Sequence, residues 1–185
     1  MPAQNDSSTT VPPRIKRLRA GVRPPGDAEG IGAEDRRHDE RFEGGDLSHA
    51  DLSDVTFERC DLVVAGSRIG SAELFESGWR SVELVDCKLG YVNLRGATIR
   101  DLRLTRCTVD ELDLTNAQAT RVAFEDTSVD HLVLASARLA HTDLRGATLR
   151  RITSIERLAG ATLSPPQLVE MAPLFAAELG IRVED

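Results

Sequence analysis

The chain has 185 residues, of which 41% are hydrophobic, 4% aromatic and 29% charged, which suits one domain with a mainly aliphatic core. Its 23 basic and 30 acidic residues give a net charge of -7, which argues against general nucleic-acid binding because such binders carry excess positive charge. No apolar run approaches the roughly 20 residues of a membrane-spanning helix, and no apolar segment follows the basic residues near the start, so we expect neither a membrane protein nor a secretory signal and predict a cytoplasmic protein.

The first 41 residues lack apolar periodicity and are rich in proline, glycine and charge. Such a segment cannot bury enough apolar surface to offset the entropy of ordering, so residues 1–41 are predicted to be a flexible arm. A basic cluster in this arm is able to contact an acidic surface, although a solvated tail is the simpler interpretation. The cluster consists of Arg14, Lys16, Arg17, Arg19 and Arg23.

An apolar period of five residues follows the arm. From Leu74 to Leu149 every fifth residue is apolar, and the residue two places before each is small or aliphatic. The same rule holds upstream, from Leu47 to Leu62. Neither the 3.6-residue period of a helix nor the two-residue period of a strand produces this pattern. Four such units close a square coil, and coils stacked at about 4.8 Å pair as strands do in a parallel sheet.

Side chains also match at a spacing of one full coil, as they do at Cys87 and Cys107 and at Ala97, Ala117 and Ala137. The units GGDLS, ADLSD, AELFE, VNLRG and TDLRG resemble the A(D/N)LXX motif of pentapeptide-repeat proteins. The resemblance implies an all-β solenoid, a right-handed quadrilateral β-helix, over residues 42–163.

One irregularity interrupts the period, because the interval from Leu62 to Leu74 is two positions longer than two repeat units. Two extra residues must be accommodated near Val63–Ser71, and a bulge or short external loop is predicted there. Trp79 stands soon after, at a position that normally takes leucine or phenylalanine. We interpret it as a local adjustment of the core rather than a platform for a ligand.

Residues 164–185 are predicted to form a helical cap over the end of the solenoid. Ser164 and Gln167 have the spacing of a capping box, and Gly180 marks the end of the helix. Pro173 is expected to kink or divide it, and residues 181–183 to add a short strand. In gyrase-interacting relatives a comparable end forms a two-fold contact, so the resemblance implies a possible homodimer. The candidate cap or dimer contact consists of Leu168, Met171, Leu174, Phe175 and Leu179.

Residues with catalytic or metal-binding chemistry do not converge in the sequence. The cysteines, Cys60, Cys87 and Cys107, all stand at inward positions and are interpreted as small core residues. The four histidines are scattered, and no nucleophilic triad or phosphate-binding motif is present. We therefore predict no enzyme, no metal site and no cofactor.

The outward positions offer two candidate binding surfaces for a protein partner. A third column, Asp86, Arg106 and Asp126, alternates in sign and is expected to pair with itself. The candidate acidic surface consists of Asp46, Asp51, Asp54, Asp110, Glu111, Asp113 and Asp130. The candidate basic face consists of Arg80, Arg100, Arg121 and Arg138.

Two functions are compatible with these features. The favoured hypothesis is a non-enzymatic scaffold or rigid protein-interaction module with an unknown partner. The alternative follows from the resemblance: family members that protect DNA gyrase from quinolones mimic the shape and negative charge of DNA, and the acidic net charge is compatible with that role. The interleaved arginines depart from it, because DNA presents one charge sign continuously.

Overall fold

The computed structural model describes residues 10–14, 36–38, 41–43, 56–58, 61–63 and 68–184. These residues form short parallel strands followed by a 3-10 helix, a last short strand and an α-helix. The strands are β1 (Arg36–His38), β2 (Arg41–Glu43), β3 (Thr56–Glu58), β4 (Asp61–Val63), β5 (Arg68–Glu73), β6 (Gly78–Val85), β7 (Lys88–Asn93), β8 (Thr98–Thr105), β9 (Thr108–Asp113), β10 (Gln118–Glu125), β11 (Thr127–Val133), β12 (Arg138–Asp143), β13 (Ala147–Thr153) and β14 (Ala161–Thr162). The 3-10 helix is Ile155–Leu158, and α1 is Pro165–Glu178.

The strands stack into two parallel sheets that share one core. One sheet has the order β1-β3-β6-β8-β10-β12-β14, and in it β2 also pairs with β4, which pairs with β6. The other sheet has the order β13-β11-β9-β7-β5. From β6 to β12 and from β5 to β13, each residue lies opposite the residue four repeat units further along the chain, as Trp79 lies opposite Ile99. This register confirms the predicted parallel β-solenoid with a coil of four units.

The five-residue period fills the interior. Every position of the series from Leu74 to Leu149 is buried except Leu84, Leu139 and Leu149, which are partly buried. The companion positions two places earlier are buried throughout, from Ala72 to Ala147. The cavity among these apolar side chains has a volume of about 30 Å³, room for no more than about two water molecules, so the core is closely packed.

Left-handed backbone turns recur at the corners of the coil. Eleven described residues other than glycine have φ between 48° and 62°, and ten of them follow the register of the coil in three columns. One column runs through Glu76, Gly96, Asn116 and Ser136. A side chain with a Cβ is strained in this conformation, so each coil stores backbone strain that the packed core and the hydrogen-bonded neighbours must hold in place.

The register changes at both ends of the stack. Thr56 of β3 lies opposite Gly78 of β6, a step two positions longer than the regular coil, which confirms the two extra residues expected between the two tracts. The register of β4 and β5 places the two extra residues within 64–67. These positions lie outside the described residues, and so does the predicted bulge or loop. At the other end Asp143 lies opposite Thr162, a step one position shorter than the regular coil.

The helix α1 closes the last coil as predicted. Ser164 and Gln167 form the expected capping box, and the Gln167 side-chain amide also donates to the carbonyl oxygens of Leu144 and Ala147, at 2.6 and 2.7 Å. Gly180, with φ 67°, ends the helix. The helix continues through Pro173 as one element, so the predicted division is wrong.

Residues 181–184 have no regular structure and are exposed, so the short strand predicted at 181–183 is also wrong. The described part of the chain contains no helix that could span a membrane.

Two described parts of the predicted arm lie against the solenoid. The strand β1 falls inside residues 1–41 and pairs with β3, with Arg37 opposite Phe57. Residues 10–14 contact the outside of the coils, and Pro13 is buried there. The rest of the arm lies outside the described residues.

Candidate interaction surfaces

The predicted acidic surface is broken by basic partners. Asp110 of β9 is exposed. Its neighbour one coil on, Asp130, accepts a hydrogen bond from Nη2 of Arg151 at 2.9 Å and lies 3.8 Å from Nη1 of Arg150. These contacts neutralise the lower end of the acidic column, so the column does not present continuous negative charge.

Glu111, the next member of the acidic set, is engaged by a histidine. Its Oε2 lies 2.9 Å from Nδ1 of His131, one coil further on, and Nε2 of His131 lies 2.9 Å from the hydroxyl oxygen of Thr153. Both ring nitrogens therefore have partners, and the three side chains tie successive coils together. Three members of the set lie outside the described residues: Asp46, Asp51 and Asp54.

Asp113 is not an outward member of this surface, which corrects its predicted role. Only 6% of it is exposed, and its Oδ1 accepts the backbone N–H of Thr115 at 2.9 Å. Asn93 and Asp143 make the same bond to the residue two places on. The Asp or Asn of the repeat motif therefore caps the corner that follows it, as Asx turns do.

The alternating column is confirmed where Asp86 meets Arg106. Nε and Nη2 of Arg106 donate to the two carboxylate oxygens of Asp86, at 2.6 and 2.7 Å, and these hydrogen bonds hold the pKa of Asp86 below its ordinary value. Both side chains remain about half exposed. Asp126 attracts the same guanidinium from the next coil.

The predicted basic face divides into separate columns. Arg80 and Arg100 lie opposite each other on β6 and β8 and are exposed, and no described acidic side chain forms an ion pair with them. Arg138 is also exposed but stands in the column of Thr98 and Gln118. The continuous part of the face is therefore the Arg80–Arg100 pair, called the arginine doublet below.

Arg121, the fourth member of the basic face, is held by an aspartate that the sequence analysis did not single out. Asp101 is 5% exposed, and both of its oxygens accept hydrogen bonds from Arg121, from Nε and Nη2, each at 2.6 Å. Asp101 Oδ1 also accepts the backbone N–H of Arg14 at 2.8 Å. Burial raises the pKa of Asp101, but the bonds from Arg121 and Arg14 outweigh it, so the pKa lies below its ordinary value.

Residues 10–14 contact the solenoid at two widely separated levels. The Ser81 hydroxyl donates to the carbonyl oxygen of Arg14 at 3.4 Å, and the hydroxyls of Thr10 and Thr162 are hydrogen-bonded to each other. Asp101 and Thr162 lie on strands three coil spacings apart, about 14 Å. Four residue steps of extended chain span about 13 Å, so residues 10–14 cross the coils in extended form.

Cys87 and Cys107 are buried and stacked one coil apart, which confirms their inward positions; Cys60 lies outside the described residues. The thiol of Cys107 lies 3.5 Å from the carbonyl oxygens of Leu84 and Thr105. Across the described residues, no group of three or more histidine, cysteine or carboxylate side chains is placed to hold a metal ion.

The predicted apolar face of α1 divides between the core and the outside. Met171 is buried and Leu174 and Phe175 are partly buried, whereas Leu168 and Leu179 are 54% and 72% exposed. Other large apolar side chains are exposed on or just after the helix: Val169, Ile181 and Val183. The end of the chain therefore carries apolar side chains that the core does not use.

Comparison with known proteins gives structural neighbours only. No family model and no curated protein matches the chain. A trypsin-treated form of QnrB1, a plasmid-mediated fluoroquinolone resistance protein, matches with 16% identity and a TM-score of 0.27, over 83% of this chain and 93% of that one. HetL, a pentapeptide repeat protein involved in heterocyst differentiation regulation from the cyanobacterium Nostoc sp. strain PCC 7120, matches with 16% identity and a TM-score of 0.18, over 74% of this chain and 93% of that one.

The assignment of the fold therefore rests on features of this chain itself. Its apolar residues recur every five positions, its motif aspartates and Asn93 cap the corners, and its strands pair at a spacing of four repeat units. These are the features that define a quadrilateral solenoid of five-residue units. The chain has the repeat and the fold of the pentapeptide-repeat proteins.

Proposed function

We propose that the chain is a non-enzymatic, rigid interaction module that binds an acidic segment of a protein partner. The stacked coils support this role, because backbone hydrogen bonds between parallel strands hold outward side chains at a fixed spacing of about 4.8 Å. Charges on such a frame lose little conformational freedom on binding, which favours recognition of a charged partner.

The arginine doublet is the observation that carries the proposal. Positive charges directly opposite each other in a sheet are destabilising. No side chain that the structure describes forms an ion pair with Arg80 or Arg100, although Glu58, whose side chain is not among those described, lies opposite Arg80 on β3. Arg14 is a third basic residue near the doublet, because its backbone is hydrogen-bonded to Ser81 and Asp101, the residues that directly follow Arg80 and Arg100. Carboxylates of a partner would relieve the repulsion.

Charge reversal tests this surface. The wild type, the double variant Arg80→Glu/Arg100→Glu and the control Arg138→Glu are each used for affinity capture from the cells that produce the protein. A partner captured by the wild type and by the control should be missing from the capture by the double variant. Binding of that purified partner should then weaken at least tenfold for the double variant, with an unchanged melting temperature. Equal binding by all three proteins would rule out the doublet.

The alternative function is DNA mimicry toward DNA gyrase. The net charge of -7 and the exposed Asp110 favour it, whereas the arginines bound to Asp86, Asp101 and Asp130 oppose it. A gyrase supercoiling titration, with and without a quinolone, separates the two functions. Inhibition at low micromolar concentration that is lost on charge reversal of Asp110, Glu111 and Asp130 would replace the first proposal, and no effect at tens of micromolar would exclude the alternative.

A homodimer is the proposed assembly, formed through the exposed apolar side chains of the C-terminal end. Leu168 of α1, and Leu179 and Val183 just after the helix, expose apolar surface that a second copy would cover. Sedimentation analysis tests this: Leu168→Asp/Leu179→Asp should convert a dimer to a monomer, whereas Phe75→Asp, an exposed apolar control on the side of the solenoid, should not.

A further inference from the structure

Residues 10–14, called the strap below, cross the outside of the first sheet, and the surface that they contact is called the groove below. The groove is defined by the side chains of Ser81, Asp101, Arg121 and Thr162, which follow the strands β6, β8, β10 and β14 along the axis of the solenoid. Because the strap crosses the coils instead of adding a strand to a sheet, its ordering depends on these few contacts.

The contacts recognise the main chain of the strap more than its side chains. The N–H of Arg14 donates to Asp101 and its carbonyl oxygen accepts from Ser81, so both polar bonds at this end are to the backbone. Pro13 is the buried residue of the strap, while Pro12 and Arg14 are exposed. An extended segment with a proline followed by a residue that offers an N–H meets the same requirements.

Asp101 is suited to receive that N–H in any such ligand. Its carboxylate is fixed by two short bonds from Arg121, one to each oxygen, so Oδ1, which accepts the strap's N–H, is held in one place and loses little freedom on binding. Hydrogen bonds to a charged acceptor are stronger than those between neutral groups.

We propose that this groove is a peptide-binding site and that the strap is its resident, displaceable ligand. A partner segment of the same chemistry, extended and carrying the pattern proline–residue with a free N–H, binds there when the strap leaves. The groove borders the arginine doublet, because Ser81 and Asp101 directly follow Arg80 and Arg100, but its contacts and its tests are separate, so the proposal does not depend on the function proposed above.

The strap competes with a free peptide for the groove, and its covalent attachment determines how strongly it competes. A covalently attached ligand acts at an effective concentration on the order of millimolar. A free peptide with an intrinsic Kd of about 100 μM would therefore bind the intact protein about tenfold more weakly than a protein whose strap has been weakened.

The first test uses a fluorescent peptide with the sequence of residues 7–16, SSTTVPPRIK, and the full-length protein. In polarisation titrations the peptide should bind the variant Val11→Asp/Pro13→Asp, which weakens the strap and leaves the groove intact, at least fivefold more tightly than it binds the wild type. The same peptide N-methylated at the Arg14 nitrogen should bind at least tenfold more weakly. Adding Asp101→Asn to the strap variant should weaken binding at least tenfold, because the amide oxygen is a neutral acceptor, and adding the control Asp86→Asn should leave binding unchanged.

The second test locks the strap in place. In full-length Thr10→Cys/Thr162→Cys, where the two hydroxyls are in contact, a disulfide should abolish peptide binding, and reduction should restore the wild-type affinity. The single variant Thr162→Cys serves as the control. The proposal is overturned if the strap variant, with a wild-type melting temperature, fails to bind the peptide, or if locking and N-methylation leave its affinity unchanged.

Discussion

Asp86 accepts two hydrogen bonds from Arg106, and Asp101 accepts two from Arg121, in each case from an arginine one coil further along and at nearly the same distances. The pairs differ in their surroundings: the Asp86 side chain is 45% exposed and the Asp101 side chain 8%. Both aspartates also have a left-handed backbone, which asparagine tolerates. The two Asp→Asn substitutions thus isolate the effect of burial on an ion pair.

Asp101→Asn should be the more destabilising of the two changes. It leaves the partly buried guanidinium of Arg121 without a counter-charge and weakens the bond to Arg14, which we expect to lower the free energy of unfolding by about 2 kcal/mol. Asp86→Asn should leave the melting temperature almost unchanged, because exposed pairs contribute little. Chemical denaturation of both variants measures the difference, and equal losses would contradict the role given to burial.

The same aspartate predicts a pH dependence. The pKa of Asp101 is lower in the folded protein than its ordinary value, so its ionised form stabilises the fold above the unfolded pKa of about 4, and that stability is lost as the pH falls through the folded pKa. The difference in melting temperature between wild type and Asp101→Asn should therefore be constant from about pH 7 to 5 and should shrink below about pH 4. A difference that grows on acidification would show the opposite sign.

Ser136 occupies a corner with φ 57°, in the column where Gly96 also stands. Glycine relieves the left-handed strain, so Ser136→Gly should raise the free energy of unfolding by about 0.5–1 kcal/mol, and Ser136→Val should lower it by about 1–2 kcal/mol. Ser128, on the strand β11, provides the matched control: Ser128→Gly should destabilise, since glycine in a strand interior adds only entropy to the unfolded state. Stabilisation by both glycine substitutions would show that strain at the corner is not the cause.

Gly90 lies under the backbone of the preceding coil. A Cβ at this position would stand 2.1 Å from the carbonyl oxygen of Gly70, so Gly90→Ala must push two coils apart and should lower the free energy of unfolding by about 3 kcal/mol or more. At Gly180, where no atom lies within 4 Å of the added Cβ, Gly180→Ala should cost only the left-handed strain of about 1 kcal/mol. Thermal melts of the two variants compare steric overlap with backbone strain, and similar shifts would disprove the close approach.

Gln167 joins the helix to the last coil, since its side chain caps α1 and donates to the carbonyl oxygens of Leu144 and Ala147. Gln167→Ala should lower the free energy of unfolding by about 2–3 kcal/mol and increase hydrogen exchange throughout α1. Gln118→Ala, at an exposed strand position, should do neither. Unchanged exchange in α1 would mean that Met171 alone retains the cap.

The repeating part of the molecule could be predicted because each unit repeats the same physical requirement. The series from Leu74 to Leu149 and its companions identified the core, the coil of four units and the two extra residues before Leu74. The capping box at Ser164 was equally local, since its partner stands three residues away.

The missed features depend on long-range contacts or on the backbone. The strap was assigned to a flexible arm because its ordering comes from one buried proline and from main-chain bonds to Asp101 and Ser81, which leave no apolar period. Asp113 was placed on the surface because outward and corner-capping aspartates have the same spacing in the repeat. The sequence places Arg121 on the basic face, because its pairing with Asp101 depends on the left-handed corners that bring the side chains of the two coils together.

The contact between Thr10 and Thr162 joins residues 152 positions apart. During synthesis, the strap leaves the ribosome before any of the strands, yet the groove that receives it is complete only when the last coil has emerged. The Arg14 amide, which donates to Asp101 of β8, is able to become protected from exchange once the middle coils have wound, whereas the Thr10 end of the strap docks only after the winding of the whole solenoid.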